Sequence, residues 1–222
     1  ERMKSIFKMG IISTYIALFF SCKEQISPLS EKYYKKGETI YFIPGGNGFE
    51  RGSRKMEADI NSFSVIRDVY ARDKDNIYFM GCPQQFVDAK TFKLKKNTPV
   101  DKYHVFYFKG FPSSTGKCSE QQLTVLTGAD PETYSTLYDK IPSLSKDKTQ
   151  YFYKSSPIDV DYATFKILND HFVKDKDRLY VVTQESILPL NYTTDQVNVI
   201  NEEYLILDGK KLLYYEPYQG IG

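Results

Sequence analysis

The stretch Tyr70-Ala71-Arg72-Asp73-Lys74-Asp75-Asn76-Ile77-Tyr78-Phe79 decides how this chain is read. Two short runs that favour strand flank a polar step of Asp-Lys and two further polar residues. Tyr, Phe, Val, Ile and Thr suit a pleated, half-buried surface. Asp and Asn bond their own backbone and tolerate left-handed dihedrals, so they suit the turn between two strands. The step recurs. Asp101-Lys102-Tyr103-His104 precedes Val105-Phe106-Tyr107, and Asp147-Lys148-Thr149-Gln150 precedes Tyr151-Phe152-Tyr153. Asp175-Lys176-Asp177-Arg178 precedes Leu179-Tyr180-Val181. A looser copy, Asp208-Gly209-Lys210-Lys211, precedes Leu212-Leu213-Tyr214, and a weaker one, Lys36-Gly37-Glu38-Thr39, precedes Ile40-Tyr41-Phe42.

Working upstream from each step, a Ser/Thr-aromatic pair opens a further apolar run. The examples are Ser62-Phe63, Thr91-Phe92, Thr133-Tyr134 and Thr164-Phe165. Phe63 and Val65 alternate with polar residues, as do Phe165 and Ile167, which is the period of a half-buried strand. After residue 30 no long stripe of helical period occurs. Short helical turns are expected at Pro131-Glu132-Thr133 and Asp161-Tyr162-Ala163. The expected fold is all-β and mainly antiparallel, with tandem repeats of about three short strands. A unit of ~30 residues cannot bury its own apolar face, so successive units must cover one another. Residues 31–222 are therefore read as a single domain of five or six units, stacked as an open, curved array. A small propeller-like closure is the alternative.

These residues resemble the DKNYY repeat family of bacterial proteins, often exported. The resemblance runs from about Ser30 to Tyr215. It is strongest over Tyr70 to Gly81 and over Val173 to Tyr180, and Gly128 to Tyr134 looks like the family's inter-repeat segment. It supports the repeat reading, and it implies no activity, cofactor or functional residue.

The N-terminal residues give an address. Lys4 and Lys8 precede Met9–Phe20, twelve residues without charge. A spanning helix needs ~20 apolar residues, so this segment has the size of a signal-peptide core. It ends at Leu18-Phe19-Phe20-Ser21-Cys22, with a small residue directly before the cysteine. Residues 1–21 are read as a lipoprotein signal and Cys22 as the lipid-attachment residue. Residues 22–30 follow as a polar tether. The expected place is the bacterial cell envelope, anchored in the membrane through lipid and facing either the periplasm or the exterior. With residues 1–21 removed, 27 Lys+Arg balance 27 Asp+Glu. That neutrality gives no basic surface for nucleic acid. Cys82 and Cys118 then remain as an even pair in a compartment where disulfides persist. A bridge would staple one unit to the next; two separate thiols are the alternative.

Catalytic sets are hard to find. His104 and His171 sit at turn positions, far from any cysteine at zinc spacing. Asp73-x-Asp75-Asn76 and Asp175-x-Asp177 offer oxygen ligands, but the remaining ligands of a calcium loop are absent. Asp73, Lys74, Asp101, Lys102, Asp147, Lys148, Asp175, Lys176 and Asp208 are thus read as structural turn residues, with no metal, cofactor or catalytic role. Pro44-Gly45-Gly46-Asn47-Gly48 lacks the Lys-Ser/Thr that a phosphate loop requires. In each Asp-Lys unit the first aromatic of the following strand is expected in the core. The second is expected at the surface, where it would suit a protein or glycan partner. The leading functional expectation is a non-catalytic envelope lipoprotein that displays a binding surface. A structural role in envelope assembly is the alternative. Less favoured is an enzyme with a site built from insertions near Gly45 to Arg54 or Pro112 to Glu120.

Overall fold

The structure is a computed structural model, and it describes residues 26–44, 52–110, 117–137, 139, 141, 143–192, 197–216 and 220–221. Six meanders follow one another, each antiparallel and each in sequence order. The first holds β1 (Ile26–Pro28), β2 (Tyr33–Lys36), β3 (Thr39–Phe42) and β4 (Arg54–Met56). The second holds β5 (Ser64–Arg67), β6 (Tyr70–Arg72), β7 (Ile77–Phe79) and β8 (Cys82–Pro83). In the third, β9 (Lys93–Lys95) and β10 (Thr98–Val100) are joined by a Val100–Val105 bridge to β11 (Phe106–Tyr107) and β12 (Thr124–Val125). The fourth holds β13 (Ser135–Thr136), β14 (Leu144–Lys146), β15 (Tyr151–Tyr153) and β16 (Ser156–Pro157). The fifth holds β17 (Lys166–Ile167), β18 (Phe172–Lys174), β19 (Leu179–Val182) and β20 (Ile187–Leu190). The sixth holds β21 (Val197–Val199), β22 (Tyr204–Leu207), β23 (Lys211–Glu216) and β24 (Gly220–Ile221).

The fold class is as expected: small antiparallel sheets in an open array, none of them closed into a barrel among the described residues. The strand count is corrected from about three per unit to four. The additional strand is short and carries a proline in three units, Pro83, Pro157 and Pro189. Proline reads as a breaker, yet an edge strand tolerates it because its outward side needs no N–H donor. Each of these prolines lies opposite the second residue of the preceding strand's aromatic or apolar run: Tyr78, Phe152 and Tyr180. The first sheet also begins early. Ile26–Pro28, placed by sequence in the tether, pairs with Tyr34–Lys36. Helical turns at the expected places are single turns, closed by Tyr134 N–H to Asp130 O at 2.9 Å and Phe165 N–H to Asp161 O at 3.0 Å.

The core lies between units. One cluster joins Tyr33, Ile40 and Phe42 of the first sheet to Tyr78 and Phe79 of the second and Phe106 of the third. Others join the third to the fourth through Val105 and Phe152, and the fourth to the fifth through Tyr151 and Tyr180. The last joins Leu179 to Leu205 and Leu213. The third strand of the second, fourth and fifth units is consequently buried on both faces. Tyr151, Phe152 and Tyr153 are 8, 0 and 8 % exposed. The expected exposure of the second aromatic is wrong for Phe79 and Phe152: strand alternation sends it to the opposite face, but a neighbouring unit, the third in both cases, covers that face. Burying such a side chain contributes about 1.5–3 kcal/mol.

Tight turns carry the left-handed residues that hairpins need. Met80 and Gly81 have φ of 52° and 74°. A Cβ on Gly81 would stand 2.6 Å from Phe42 Cβ, so the glycine also permits the first two units to close on each other. Cys82 of β8 and Cys118 are joined by a disulfide that ties the second unit to the third. Beside it the buried Gln84 side chain donates to Gln121 O at 3.0 Å and accepts from Leu123 N–H at 2.7 Å.

Candidate functional site

The Asp-Lys turns are the natural first candidate, because their carboxylates are buried. Asp73, Asp101, Asp147 and Asp175 are between 2 and 7 % exposed. In the fifth unit, Asp175 Oδ1 accepts the N–H groups of Asp177 at 2.9 Å and Arg178 at 2.8 Å. This is the local turn chemistry of aspartate. Oδ2 turns upstream and accepts the N–H of Asp161 at 3.0 Å and the hydroxyl of Tyr180 at 2.7 Å. The second unit repeats all four bonds with Asp73, using Asp75, Asn76, Asp59 and Tyr78. Asp101 and Asp147 keep the three backbone donors, but Phe106 and Phe152 stand where the tyrosines would be.

The upstream partner is itself a repeated element that sequence reading passed over. Asp59, Asp88, Asp130 and Asp161 each precede the Ser/Thr-aromatic pair by three residues. The Ser/Thr hydroxyl then accepts the N–H of the turn lysine: Lys74 from Ser62 at 3.0 Å, Lys102 from Thr91 at 3.0 Å, Lys148 from Thr133 at 3.1 Å and Lys176 from Thr164 at 2.9 Å. Three of these lysines also reach back by Nζ: Lys74 to Asp59, Lys148 to Asp130 and Lys176 to Asp161, at 3.2, 2.8 and 3.1 Å. Thus the first residue of the step clamps the upstream turn with its carboxylate and the second with its backbone and ammonium. The spacing Asp-x-x-Ser/Thr-aromatic was the sequence signal that could have revealed it.

Electrostatics agree. Burial pushes the Asp73 and Asp175 carboxyls up, but the hydroxyl and amide donors outweigh it and hold both below the usual carboxylate range. Asp147 is likewise held low by its amides and the Thr149 hydroxyl against the effect of burial. The bonds to Asp59, Asp130 and Asp161 raise Lys74, Lys148 and Lys176. Such carboxylates are ionised and saturated with structural donors, which suits a clamp rather than proton transfer. Asp208 differs. It is exposed, with φ of 52° beside Gly209 at 65°, in the three-residue turn between β22 and β23, where Lys210 N–H donates to Leu207 O at 3.0 Å.

His104 takes the place of Asn76 and lies with Nδ1 3.5 Å from Asp101 Oδ1, ringed by Tyr103 and Phe106. His171 stands in a different turn, against Tyr215. Among the described residues no group of three or more His, Cys, Asp or Glu could hold a metal ion. Cys22 and most of both insertions lie outside the described residues.

What remains is the surface between units. A cleft of about 510 Å³ lies between the fourth and fifth sheets, with Tyr153, Lys154, Asp159, Arg178, Glu185 and Pro189 on its walls. A second, of about 570 Å³, extends toward the third sheet past Tyr107, Phe108 and Tyr134. Both include Lys154, Ser155 and Glu185, so they adjoin. Lys154 Nζ and Glu185 Oε2 meet at 3.1 Å at that junction. The result is a groove across three units with mixed apolar and polar walls and the Lys154–Glu185 ion pair at its middle.

No curated protein and no solved structure matches the chain. Residues 5–110 match the model of the DKNYY family, which covers the first two sheets and the first Asp-Lys turns. The Asp147 and Asp175 turns lie beyond the match and repeat the bonds of Asp73 and Asp101. Over residues 5–110 this chain is similar to the DKNYY family.

Proposed function

We propose that this protein is a non-catalytic, lipid-anchored component of the bacterial envelope, and that its repeat array binds a protein or glycan partner along the groove over the third to fifth units. The observation that carries this reading is the continuity of the two clefts through Lys154, Ser155 and Glu185. Repeat scaffolds present such extended surfaces because each unit adds a similar segment of wall. A non-catalytic role is supported by the buried aspartates, whose oxygens are engaged by turn amides and tyrosine hydroxyls. Anchoring at Cys22 is supported by the charge-free Met9–Phe20 stretch and the small Ser21 before it.

The test is a peptide and glycan array probed with the full chain and with the charge-reversed Lys154→Glu/Glu185→Lys pair and its single variants. The single variants should lose a ligand that the wild type retains. No ligand on either array and no co-purifying envelope partner would overturn the binding role. Anchoring is tested separately by incorporation of labelled fatty acid, which Cys22→Ala should abolish.

A further inference from the structure

Three units meet at the Cys82–Cys118 bridge, and the first of them supplies a cation. Arg54 of β4 extends past Gly81, where a Cβ would stand 3.1 Å from Arg54 Cδ. Its Nη1 lies 2.7 Å from Cys82 Sγ and 2.8 Å from Cys118 Sγ. Arg54 is 28 and 64 residues from the two cysteines, so only the tertiary fold brings the three together. A disulfide is neutral and its sulfurs are weak acceptors. As a plain staple it gains little from a guanidinium, whose natural partners are anions. A thiolate is such an anion. Burial holds the Arg54 guanidinium below its ordinary range. A negative charge on the adjoining sulfur therefore offsets the desolvation of both groups.

The two sulfurs differ in access. Cys82, at the start of β8, is 0 % exposed. Cys118 is half-buried among the exposed Lys117, Ser119 and Glu120. A reductant therefore meets Cys118 first and leaves Cys82 as the departing sulfur. The seam beside the bridge has its own fastening. Besides the two bonds of Gln84, the Gln122 side chain donates to Pro83 O at 3.1 Å and accepts from Gln85 N–H at 3.3 Å. These bonds hold the second and third units together when the S–S bond opens, so reduction does not require unfolding.

We propose that Cys82–Cys118 is an exchangeable, electron-accepting disulfide whose substrate is a dithiol, with Arg54 stabilising the departing Cys82 thiolate. The dithiol loses a proton to solvent, and its thiolate attacks Cys118 Sγ. A bond forms between those two sulfurs, the Cys82–Cys118 bond breaks, and its electron pair leaves on Cys82 Sγ beside Arg54. The reductant's second thiol, deprotonated to solvent, attacks the reductant's own sulfur in the mixed disulfide. The reductant closes to a disulfide, and Cys118 departs as a thiolate that takes one proton from solvent. Two electrons thus pass to the protein and one net proton passes to solvent. A less basic leaving sulfur speeds the first step, and a stabilised thiolate raises the reduction potential. The inference rests on neither the groove nor the anchor.

The experiment equilibrates the full chain, in non-ionic detergent at neutral pH and without denaturant, in mixtures of reduced and oxidised dithiothreitol. Rapid alkylation and peptide mass spectrometry then read the thiols at Cys82 and Cys118. Arg54→Met should lower the equilibrium constant for reduction by about tenfold, which is about 30 mV, and slow opening by a similar factor. Arg54→Lys keeps the charge and should stay within about threefold of the wild type. Circular dichroism verifies the fold of each variant. Brief exposure of the wild type to glutathione should place glutathione on Cys118 and the alkyl label on Cys82, a readout that needs no variant. A bridge that opens only in urea overturns the proposal. So does reduction that Arg54→Met leaves unchanged, a lysine variant no better than the methionine one, or glutathione found on Cys82.

Discussion

Replacing Asp175 with Asn tests the clamp that organises each unit. Asn keeps an oxygen for the Asp177 and Arg178 amides, but its second atom becomes a donor. That donor then faces the Asp161 N–H, formerly bonded at 3.0 Å, and the Tyr180 hydroxyl, formerly at 2.7 Å. The hydroxyl can rotate to accept; the amide cannot. One buried amide left unpaired costs about 1–3 kcal/mol, and a charge-assisted bond is lost as well, so a destabilisation of about 2–4 kcal/mol is expected. Tyr180→Phe should cost about 1–2 kcal/mol, and the double variant should cost less than the sum because both touch one bond. Urea unfolding measures all three.

The pH dependence has a definite sign. Asp175 is held below the usual carboxylate range in the folded state. Its stabilisation is therefore present above the unfolded value of about 3.9 and is lost as pH falls through the folded value. The gap between wild type and Asp175→Asn should be full at pH 7 and shrink toward pH 2. A loss below about 0.5 kcal/mol at pH 7, small for a buried charged hydrogen bond, would refute the clamp, as would a gap indifferent to acid.

Phe152→Tyr should place a hydroxyl where Tyr180 has one and let it reach Asp147, adding about 0.5–1.5 kcal/mol of stability in the same assay. A loss would mean that the fourth unit has no room at that position. Removing the Cys82–Cys118 bridge as a double serine variant should cost about 3–4 kcal/mol in the chain-entropy account, read as a lower urea midpoint that matches the reduced wild type. Gly81→Ala should cost about 2–4 kcal/mol, since a left-handed φ combines with a 2.6 Å approach to Phe42 Cβ. Gly209→Ala has the same backbone handicap and nothing within 4 Å, so about 1 kcal/mol is expected there. Equal losses at the two glycines would show that the contact with the first unit is unimportant.

The Asp-Lys turns were legible because their chemistry is local. Asp73 Oδ1 bonds amides two and three residues ahead, and any chain with that composition can make such a turn. Its other oxygen bonds the Asp59 amide 14 residues upstream, a contact that alternation and propensity do not register. The fourth strand was missed for a related reason. Cys82–Pro83 and Ser156–Pro157 are two residues long and contain proline, so only pairing with the aromatic strand makes them strands. The groove at Lys154 and Glu185 joins residues 31 apart in adjacent units, and no motif marks it.

By itself the sequence determined an all-β chain of repeated turn-and-strand units, the aspartates and lysines that shape the turns, and a charge-free segment ending at Cys22. These follow from interactions within a few residues. The tertiary structure decided the number of strands per unit, the burial of both faces of Tyr151–Tyr153, and the disulfide between Cys82 and Cys118. Each of these depends on what the neighbouring unit covers. The Asp-Lys step of one unit is indistinguishable in sequence from that of the next, whether or not another unit lies against it.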